Sequence, residues 1–529
     1  MTSFHNGRLT STDASFLYLE RRSAPMHIGA VCLFDGRFDP EQYRAAVATK
    51  LARLPRFRER LVNTPFFLSH ATWEPALDFD IAEHVLIHQL PKKKAAEAFR
   101  RLVNQLIAER LDRTKPLWEL HVIDGLPDGT TAIVSKVHHA MVDGVGGNQI
   151  LTTILDLSPK APTRKPSEAH EEEWVSAGTG TRIMEALWDN AHATIDGAAN
   201  AQRVATSWGT SGRRNLRHMF DGLRDELPNL LRPPRRLPFN RSCGTERNLQ
   251  WTRFSFAEAR AIRSRLGGTV NDVVLTALAG AVRRYCEAHD VDVTGRHMRV
   301  MVPVNVRPEG ASADLGNQVS VLPADLPLGI ADPAARLASI RESTRSLKRS
   351  RLAEGIHMMT ELAGAVPVPL QAAFGALASS PVPVFNTVCT NVPGPQIPLY
   401  AMGVPLREYY PHVPVGFDMG VGCAIFSYNQ TLHVGLNSDT KACPDPELLC
   451  DALDREFALL RDSAGVEPIE AITLAGVARW RTAEEPKRKS ARKKSGTARK
   501  KVVRKKSAKT KKASASKKST RSRPKRKAG

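Results

Sequence analysis

The sequence predicts a mixed α/β fold in which strands and helices alternate through both halves of the chain. Runs of β-branched and apolar residues, typical of buried strands, occur early and late, as at 131–137 and 298–306. Helix start signals stand between such runs, as at Asp39-Pro40 and Thr269. The length of 529 residues allows two or more domains.

The first half is predicted to contain three strands and two helices. Asp39 caps the first helix, which has Pro40 at its first position. A turn at 126–129 joins the last two strands, so this hairpin determines where the residues after it point. The predicted elements are strand 27–35, helix 40–54, helix 95–111, strand 116–123 and strand 131–137.

The second half is predicted to contain more strands. Ser255 and Glu258 form a capping box at the start of a helix that ends at Gly267-Gly268. A hairpin turns at Asn429-Gln430. The predicted elements are helix 255–266, a helix from 269, strands 298–306 and 319–322, a mostly helical segment 333–379, strands 385–392, 422–428 and 431–437, and helix 445–462.

Two polar, proline-containing stretches divide the chain, one at 158–173 and one at 232–236. We therefore predict a first domain at 1–158 and a linker with a helical connector at 159–240. A second domain is predicted at 241–480 and a tail at 481–529.

The positive charge is concentrated in the tail. Residues 487–529 carry 22 of the 76 Lys and Arg residues and no Asp or Glu, so the 54 basic residues left match the 54 acidic ones. Without aromatic residues this segment cannot bury a core, and we expect it to be disordered in isolation. It is suited to bind the phosphates of DNA, RNA or anionic lipid. A solvated tail that only aids solubility is the alternative.

No export or membrane-spanning signal is predicted. The first 16 residues lack an apolar segment of the kind that signal peptides have, and the seven scattered cysteines include no CxxC pair, which is typical of a reducing compartment. Residues 362–406 contain no charged side chain, but eight prolines interrupt them. We predict buried core there rather than a transmembrane helix.

The candidate site follows the strand at 131–137, where His138 and His139 precede Asp143 and Gly144. Imidazole is the side chain best suited to take a proton near neutral pH, so a catalytic base is one interpretation. A hydrogen-bonded core histidine is another. Half of a metal site is a third, although no second cluster with ligand spacing accompanies it.

Motifs in one order along 9–475 resemble the bacterial wax ester synthase/acyl-CoA:diacylglycerol acyltransferase family. HHxxxDG by itself is shared with chloramphenicol acetyltransferase-like and peptide-synthetase condensation domains, whereas the full series is specific. The matching segments are LTSTDASFLYLERRSAPMHIGAVCLFDG at 9–36, PLWE at 116–119, HHAMVDG at 138–144, GGTVNDVVLTALAGAVRRY at 267–285, PVNVR at 303–307, GNQVS at 316–320 and TNVPGP at 390–395.

The resemblance implies two chloramphenicol-acetyltransferase-like domains with the active site in a channel between them. It also implies His139 as general base, with His138 supporting the loop. Asp143 is assigned to structure, and Gly144 allows a tight turn or close approach to substrate. Asn271 and Asp272 resemble a second-domain motif near the site, and helix capping explains Asp272 equally well. No metal or cofactor is expected.

The implied reaction is acyl transfer from acyl-CoA, as substrate, to diacylglycerol or a long-chain alcohol. We expect a cytoplasmic protein, peripheral at a membrane or lipid droplet. Two rivals are a condensation-type acyltransferase that uses a carrier-protein thioester and a nucleic-acid or droplet tether acting through the tail. The absence of a carrier domain opposes the first, and the intact HHAMVDG opposes a purely non-catalytic role.

Overall fold

The computed structural model describes most of residues 7–469, all within one compact unit, Met1–Trp480. The described residues are 7–51, 54–142, 151, 153–160, 178, 180–184, 186, 188, 232–305, 319–349, 368–371 and 384–469. The predicted tail, 481–529, lies outside them, as do Asp143 and Gly144.

Helices of nine or more residues occur in both halves of the described chain. They are α1 Ser11–Leu19, α2 Pro40–Leu51, α3 Ala95–Ala108, α4 Phe256–Leu266, α5 Val270–Ala288, α6 Pro333–Arg349 and α7 Pro446–Ser463.

The strands likewise come from both halves. They are β1 His27–Phe34, β2 Glu59–Val62, β3 Thr72–Pro75, β4 Val85–Gln89, β5 Trp118–Asp124, β6 Thr131–His138, β7 Arg247–Ser255, β8 His297–Asn305, β9 Val319–Pro327, β10 Thr387–Pro393, β11 Tyr400–Ala401, β12 Val404–His412, β13 Val421–Tyr428 and β14 Thr431–Asp439. The mixed α/β prediction is confirmed.

The first sheet has the strand order β11-β12-β1-β6-β5-β4. Its neighbours are antiparallel except β4 and β5, which are parallel. The strands β11 and β12 come from the second half of the sequence, so the first sheet contains strands from both halves. In the centre, His27 of β1 lies opposite His138 of β6.

The second sheet has the strand order β7-β14-β13-β10-β8-β9 and combines parallel and antiparallel neighbours. The predicted hairpin joins β13 to β14 through Asn429 and Gln430, which both have positive φ (45° and 66°). A two-residue turn of this kind matches the twist of the strands it connects.

Helices cover both faces of the first sheet. Cys32 and Phe34 of β1 join a core with Tyr43 and Val47 of α2, while Val31 faces α3 on the other side. The helices α4, α5, α6 and α7 form the core of the second half with the second sheet. These packed layers hold the strand and helix ends that carry the polar motifs in fixed positions.

Several elements differ from the prediction. Helix α3 ends at Ala108, three residues early, and β9 continues to Pro327. The predicted capping box at Ser255 is half wrong, because Ser255 Oγ accepts from Glu258 N while the Glu258 carboxylate accepts from Ile469 N (2.6 Å). Seven elements of the structure were not predicted from the sequence: α1, β2, β3, β4, β7, β11 and β12.

The uncharged stretch at 362–406 is only partly core where it is described, since Leu370, Val384 and Ile397 are about half exposed. Its residues from 384 onward supply β10, β11 and the start of β12, and Cys389, Leu399 and Ala401 are almost fully buried. No helix among the described residues combines the length and apolarity needed to cross a bilayer.

Candidate active site

The end of β6 holds the two histidines through backbone hydrogen bonds to both neighbouring segments. His138 N donates to Leu117 O (3.0 Å), just before β5, and His139 N donates to Met26 O (2.8 Å), just before β1. Because each bond reaches a different chain segment, the turn at 138–141 can adopt its shape only in the assembled sheet.

The two imidazoles have different surroundings. The His138 side chain is 1% exposed, whereas His139 is half-buried. The ring of Phe16, from α1, stacks on His139 with centroids 3.9 Å apart and planes 11° apart. The Phe16 ring contacts the face of the imidazole and not the edge that carries its two nitrogens, of which Nδ1 is buried.

Hydrogen bonding assigns the proton on His138. Its Nδ1 accepts from Ala140 N (3.1 Å), so the ring hydrogen belongs on Nε2, which lies 3.5 Å from Glu20 Oε1. Burial lowers the pKa of His138 below its usual value, which favours the neutral ring. With its acceptor nitrogen already used within the turn, His138 supports the loop and is poorly placed to take a proton from a substrate.

Glu20 links this turn to the segment before β5. Its carboxylate, 1% exposed, accepts from Arg113 Nη2 (2.8 Å) and Nε (3.0 Å) and from Met26 N (3.2 Å). Burial by itself would raise the pKa of this carboxyl, but the His138 ring, 3.5 Å away, and the Arg113 charge lower it to about 2. Glu20 is therefore ionised and holds His138 and the Met26 amide in place.

The PLWE segment has a structural role beside the histidines. Leu117 is fully buried, and the Trp118 indole Nε1 donates to Phe57 O (2.8 Å). Glu119 accepts from the buried Lys136 ammonium (2.9 Å) and contacts His121 Nε2 (3.0 Å). The Lys136–Glu119 pair joins β6 to β5 at the register that delivers His138 and His139.

The second motif begins α5 in the other half of the chain. Thr269 and Asp272 form a complete capping box, with Asp272 Oδ2 accepting from Thr269 N (2.8 Å). Its other oxygen, Oδ1, accepts from Thr344 Oγ1 of α6 (2.8 Å). The structure thus places Asp272 in helix capping, as its alternative interpretation predicted.

Asn271 instead faces a cavity of about 210 Å³. Its Oδ1 accepts from Asn391 Nδ2 of β10 at 3.4 Å. The cavity walls are mainly apolar, with Thr344 and Lys348 adding polar groups. The other lining residues are Leu275, Val302, Pro303, Leu322, Ala324 and Leu347.

Strand β10 connects the two motifs. Asn391 bonds to Asn271, while its neighbour Val392 packs against the core cluster that contains Val137, Ala140 and Met141. Consecutive residues of one strand thus touch the cavity residue and the core beneath the histidine turn. The predicted roles of Asp143 and Gly144 stay predictions, since both residues lie outside the described part of the chain.

Four residues of these networks were not predicted from the sequence: Phe16, Glu20, Arg113 and Thr344. Glu20 precedes Arg21 and Arg22 in the sequence, a context typical of a solvated helix end. The one available signal was the apolar segment before it, FLYL at 16–19, which would have indicated a packed helix. Among the described residues, no group of three or more His, Cys, Asp or Glu side chains is arranged to hold a metal ion.

Two family models match this chain. The model described as "Wax ester synthase/diacylglycerol acyltransferase catalytic domain" matches residues 9–274, and "WS/DGAT C-terminal domain" matches 315–461. The chain belongs to the WS/DGAT family. The predicted family resemblance is confirmed, and the two matched segments together include both halves of the described fold.

Individual relatives agree. The WS/DGAT chain is 29% identical over 461 residues to the probable diacylglycerol O-acyltransferase tgs1 of Mycobacterium tuberculosis, which covers 85% of this chain and 95% of that protein. The structure of the wax ester synthase/diacylglycerol acyltransferase from Marinobacter aquaeolei VT8 superposes with a TM-score of 0.59 at 24% identity, over 87% of this chain and all of the other.

The fold extends to condensation domains. The first condensation domain of the calcium-dependent antibiotic synthetase gives a TM-score of 0.57 at 16% identity, over 90% of this chain and 98% of that domain. At this identity the similarity concerns the fold alone, and it confirms the predicted two-domain, chloramphenicol-acetyltransferase-like architecture.

Proposed function

We propose that this WS/DGAT protein is an O-acyltransferase that moves a fatty acyl group from acyl-CoA to the hydroxyl of diacylglycerol or a long-chain alcohol. His139 takes the hydroxyl proton as the oxygen attacks the thioester carbonyl carbon. The carbon–sulfur bond then breaks, and His139 returns the proton to the departing CoA thiolate. The products are an ester and free CoA, so atoms and charges balance.

The observation that carries the proposal is the difference between the two histidines. His139 is half-buried on an anchored turn, whereas the Nδ1 of the fully buried His138 already accepts from the backbone. A base must reach the proton that it takes, and only His139 of this pair meets that condition. The Phe16 ring and the Met26 carbonyl keep it oriented.

The cavity beside Asn271 suits one part of the substrates. Its apolar walls fit an acyl or alkyl chain, and the amides of Asn271 and Asn391 offer hydrogen bonds to a carbonyl or hydroxyl. We assign it to substrate placement within the predicted channel between the domains. Asp143 and Gly144 are assigned to the shape of the loop after His139.

An acyl-CoA assay with diolein and hexadecanol as competing acceptors tests the activity and shows which acceptor is preferred. His139→Ala is expected to lower turnover roughly 10²–10⁴-fold, the usual contribution of a general base. His289→Ala, which removes a half-buried histidine of the second half, serves as the matched control. Turnover near that of the wild type in folded His139→Ala protein would refute the assignment of the base.

The transfer is proposed to need neither metal nor cofactor, because the thioester already carries an activated acyl group. Dialysis against a chelator is expected to leave turnover unchanged. A loss of activity that zinc restores would contradict this.

The tail and the site of action form a separate part of the proposal. We place the enzyme at the surface of a membrane or lipid droplet, with residues 487–529 binding anionic lipid or DNA through charge. Truncation after Glu485 should weaken binding to anionic vesicles and duplex DNA, mostly at low salt, and leave turnover of soluble substrates almost unchanged. Equal binding by both forms would overturn the role of the tail.

A further inference from the structure

The loop between β2 and β3 exposes two adjacent phenylalanines. Phe66 is 83% exposed and Phe67 is 52% exposed. Both residues have left-handed backbone conformations, with φ of 55° and 54°. Bulky residues rarely adopt this conformation, and apolar rings are rarely left in water side by side. The loop therefore holds both rings outward against two local preferences, which calls for a function.

Hydrogen bonds within the loop maintain this shape. Phe67 N donates to Thr64 O (3.1 Å) and Leu68 N donates to Pro65 O (3.2 Å). The Thr64 and Ser69 hydroxyls lie 2.7 Å apart and close the base of the loop. The rings are presented by a closed turn with its own internal bonds.

The base of the loop is attached to α1, the helix that also contacts His139. Buried His70 lies 2.9 Å from the Tyr18 hydroxyl and 3.1 Å from the Ser11 hydroxyl through its two ring nitrogens. The same helix supplies Phe16, which stacks on His139. One helix thus joins the exposed rings to the proposed base.

The loop itself is uncharged, and the charged residues lie in the segment before it. Residues 62–73 contain no Asp, Glu, Lys or Arg, and burial lowers the pKa of His70 to about 4, so the segment is uncharged at pH 7. The segment before it contains Arg58, which is exposed, and Arg60, which is half-buried, while the acidic residue between them, Glu59, pairs with Arg56 (3.1 Å). An uncharged aromatic tip beside basic residues matches the interface of a lipid layer, where rings enter the acyl region and cations meet headgroup phosphates.

Two further exposed apolar side chains lie in a segment that is paired with β3. Arg182 Nη2 pairs with Glu74 of β3 (2.9 Å), which docks the helical residues near 182 onto β3. Met184 and Trp188, four residues apart in this helical segment, are 67% and 64% exposed. Residues at this spacing share one face of a helix.

We propose that the Phe66–Phe67 loop inserts into the lipid surface that contains the acceptor. The inference rests on the proposed function, because a diacylglycerol acceptor resides in such a surface. Insertion buries the two rings and, through α1, places the histidine turn at a fixed position relative to the layer from which the acceptor is drawn.

The test measures partition of the full-length protein onto phosphatidylcholine vesicles that contain diolein, by flotation at high salt. These vesicles have no net charge, so the basic tail contributes little. Phe66→Ser/Phe67→Ser is expected to weaken partition about tenfold or more, from the transfer free energy of two aromatic rings. Phe66→Leu/Phe67→Leu should retain most of it. Leu77→Ser removes another apolar residue, 80% exposed, beyond the far end of the hairpin, and should change partition less than about twofold.

Kinetic measurements distinguish insertion of the loop into the vesicle from the acyl-transfer step. In Phe66→Ser/Phe67→Ser, KM for vesicle-borne diolein should rise, while turnover of a water-soluble alcohol with acyl-CoA stays near that of the wild type. Unchanged partition in this variant would overturn the proposal, as would a change in self-association by sedimentation with partition intact. Failure of the wild type to acylate either acceptor would refute the proposed function instead, and the partition result would still be readable.

Discussion

The histidine turn and the start of α5 are both held by a buried carboxylate, yet the carboxylates come from different distances along the chain. Asp272 caps its own helix through Thr269, three residues away, and adds one bond to Thr344. Glu20 reaches Arg113, separated by 93 residues, and His138, which is farther still. The first arrangement follows from local chemistry, whereas the second exists only after three chain segments have packed together.

This difference has an energetic side. A buried carboxylate is tolerated only when its partners satisfy it, and Glu20 holds a guanidinium, an amide and an imidazole at once. Removing it leaves three groups without that acceptor. Asp272 mainly caps one helix end, so the effect of removing its carboxylate should be confined to that end. The two carboxylates should therefore differ in how much they contribute to stability and to turnover.

Glu20→Ala is expected to have the largest effect. The loss of the buried carboxylate leaves the Met26 amide and His138 Nε2 without it, and we expect unfolding free energy to fall by about 3 kcal/mol, since Arg113 is partly exposed. Turnover should fall about 100-fold as the turn loses its shape. Denaturant unfolding and the acyl-CoA assay measure the two effects. Glu20→Gln, which keeps the volume and one oxygen, should recover part of both, and a fully active Glu20→Ala protein would show that the network is dispensable.

The acid stability of the wild type should depend on Glu20 in a defined direction. Its folded pKa, about 2, lies below the ordinary 4.5, so the ionised group stabilises the fold above pH 4.5 and this contribution is lost as pH falls toward 2. Denaturant unfolding at several pH values should show a shallower decline for Glu20→Gln across that window. Glu119, whose pKa is also about 2, keeps its own contribution in both proteins. Parallel curves for the two proteins would contradict the assignment.

Asp272→Ala is expected to cost about 1–2 kcal/mol of stability, the range for the loss of a helix cap. The effect should be smaller than that of Glu20→Ala, because only the start of α5 loses its partners. Thermal unfolding measures it, and Asp272→Asn, which can still accept from Thr269 N, is the matched control. A cost as large as that of Glu20→Ala would remove the distinction between the two sites.

Thr344→Val should have the smallest effect, about 1 kcal/mol, because it removes only the hydroxyl that donates to Asp272 Oδ1 and keeps the shape of the side chain. In Asp272→Ala protein the same substitution should cost less, since its partner is already absent. A double-mutant cycle on unfolding free energy tests this coupling, and additive effects would argue against it.

The same contrast explains what the sequence could predict. The caps at Asp39, Ser255 and Thr269 and the turn at Asn429-Gln430 were predicted correctly, because each signal lies within a few residues of its effect. Glu258 shows the limit: its spacing fits a capping box, but a tertiary contact with Ile469 takes its carboxylate.

The elements that were missed depend on partners elsewhere. Strand β12 contains Pro405 and Pro411 and the charged pair Arg407-Glu408, which hide its pattern, and it is a strand because β1 lies beside it. His138 and His139 could be found from their motif, and the family resemblance assigned their roles. At α1, FLYL at 16–19 could have indicated a packed helix, but the roles of Phe16 and Glu20 could not be predicted, because α1 has almost no amphipathic pattern and both roles depend on contacts with distant residues.

Because β11 and β12 complete one edge of the first sheet, the first half of the chain cannot form that sheet completely without the second half. A protease cut at 161–231 would leave the fragments joined by the ladder between β1 and β12. A fragment ending before residue 400 would instead expose β1 as a sheet edge, and exposed edge strands promote aggregation. A chimera between relatives must therefore transfer 400–412 together with the histidine-bearing half, and selection on either half must act on both.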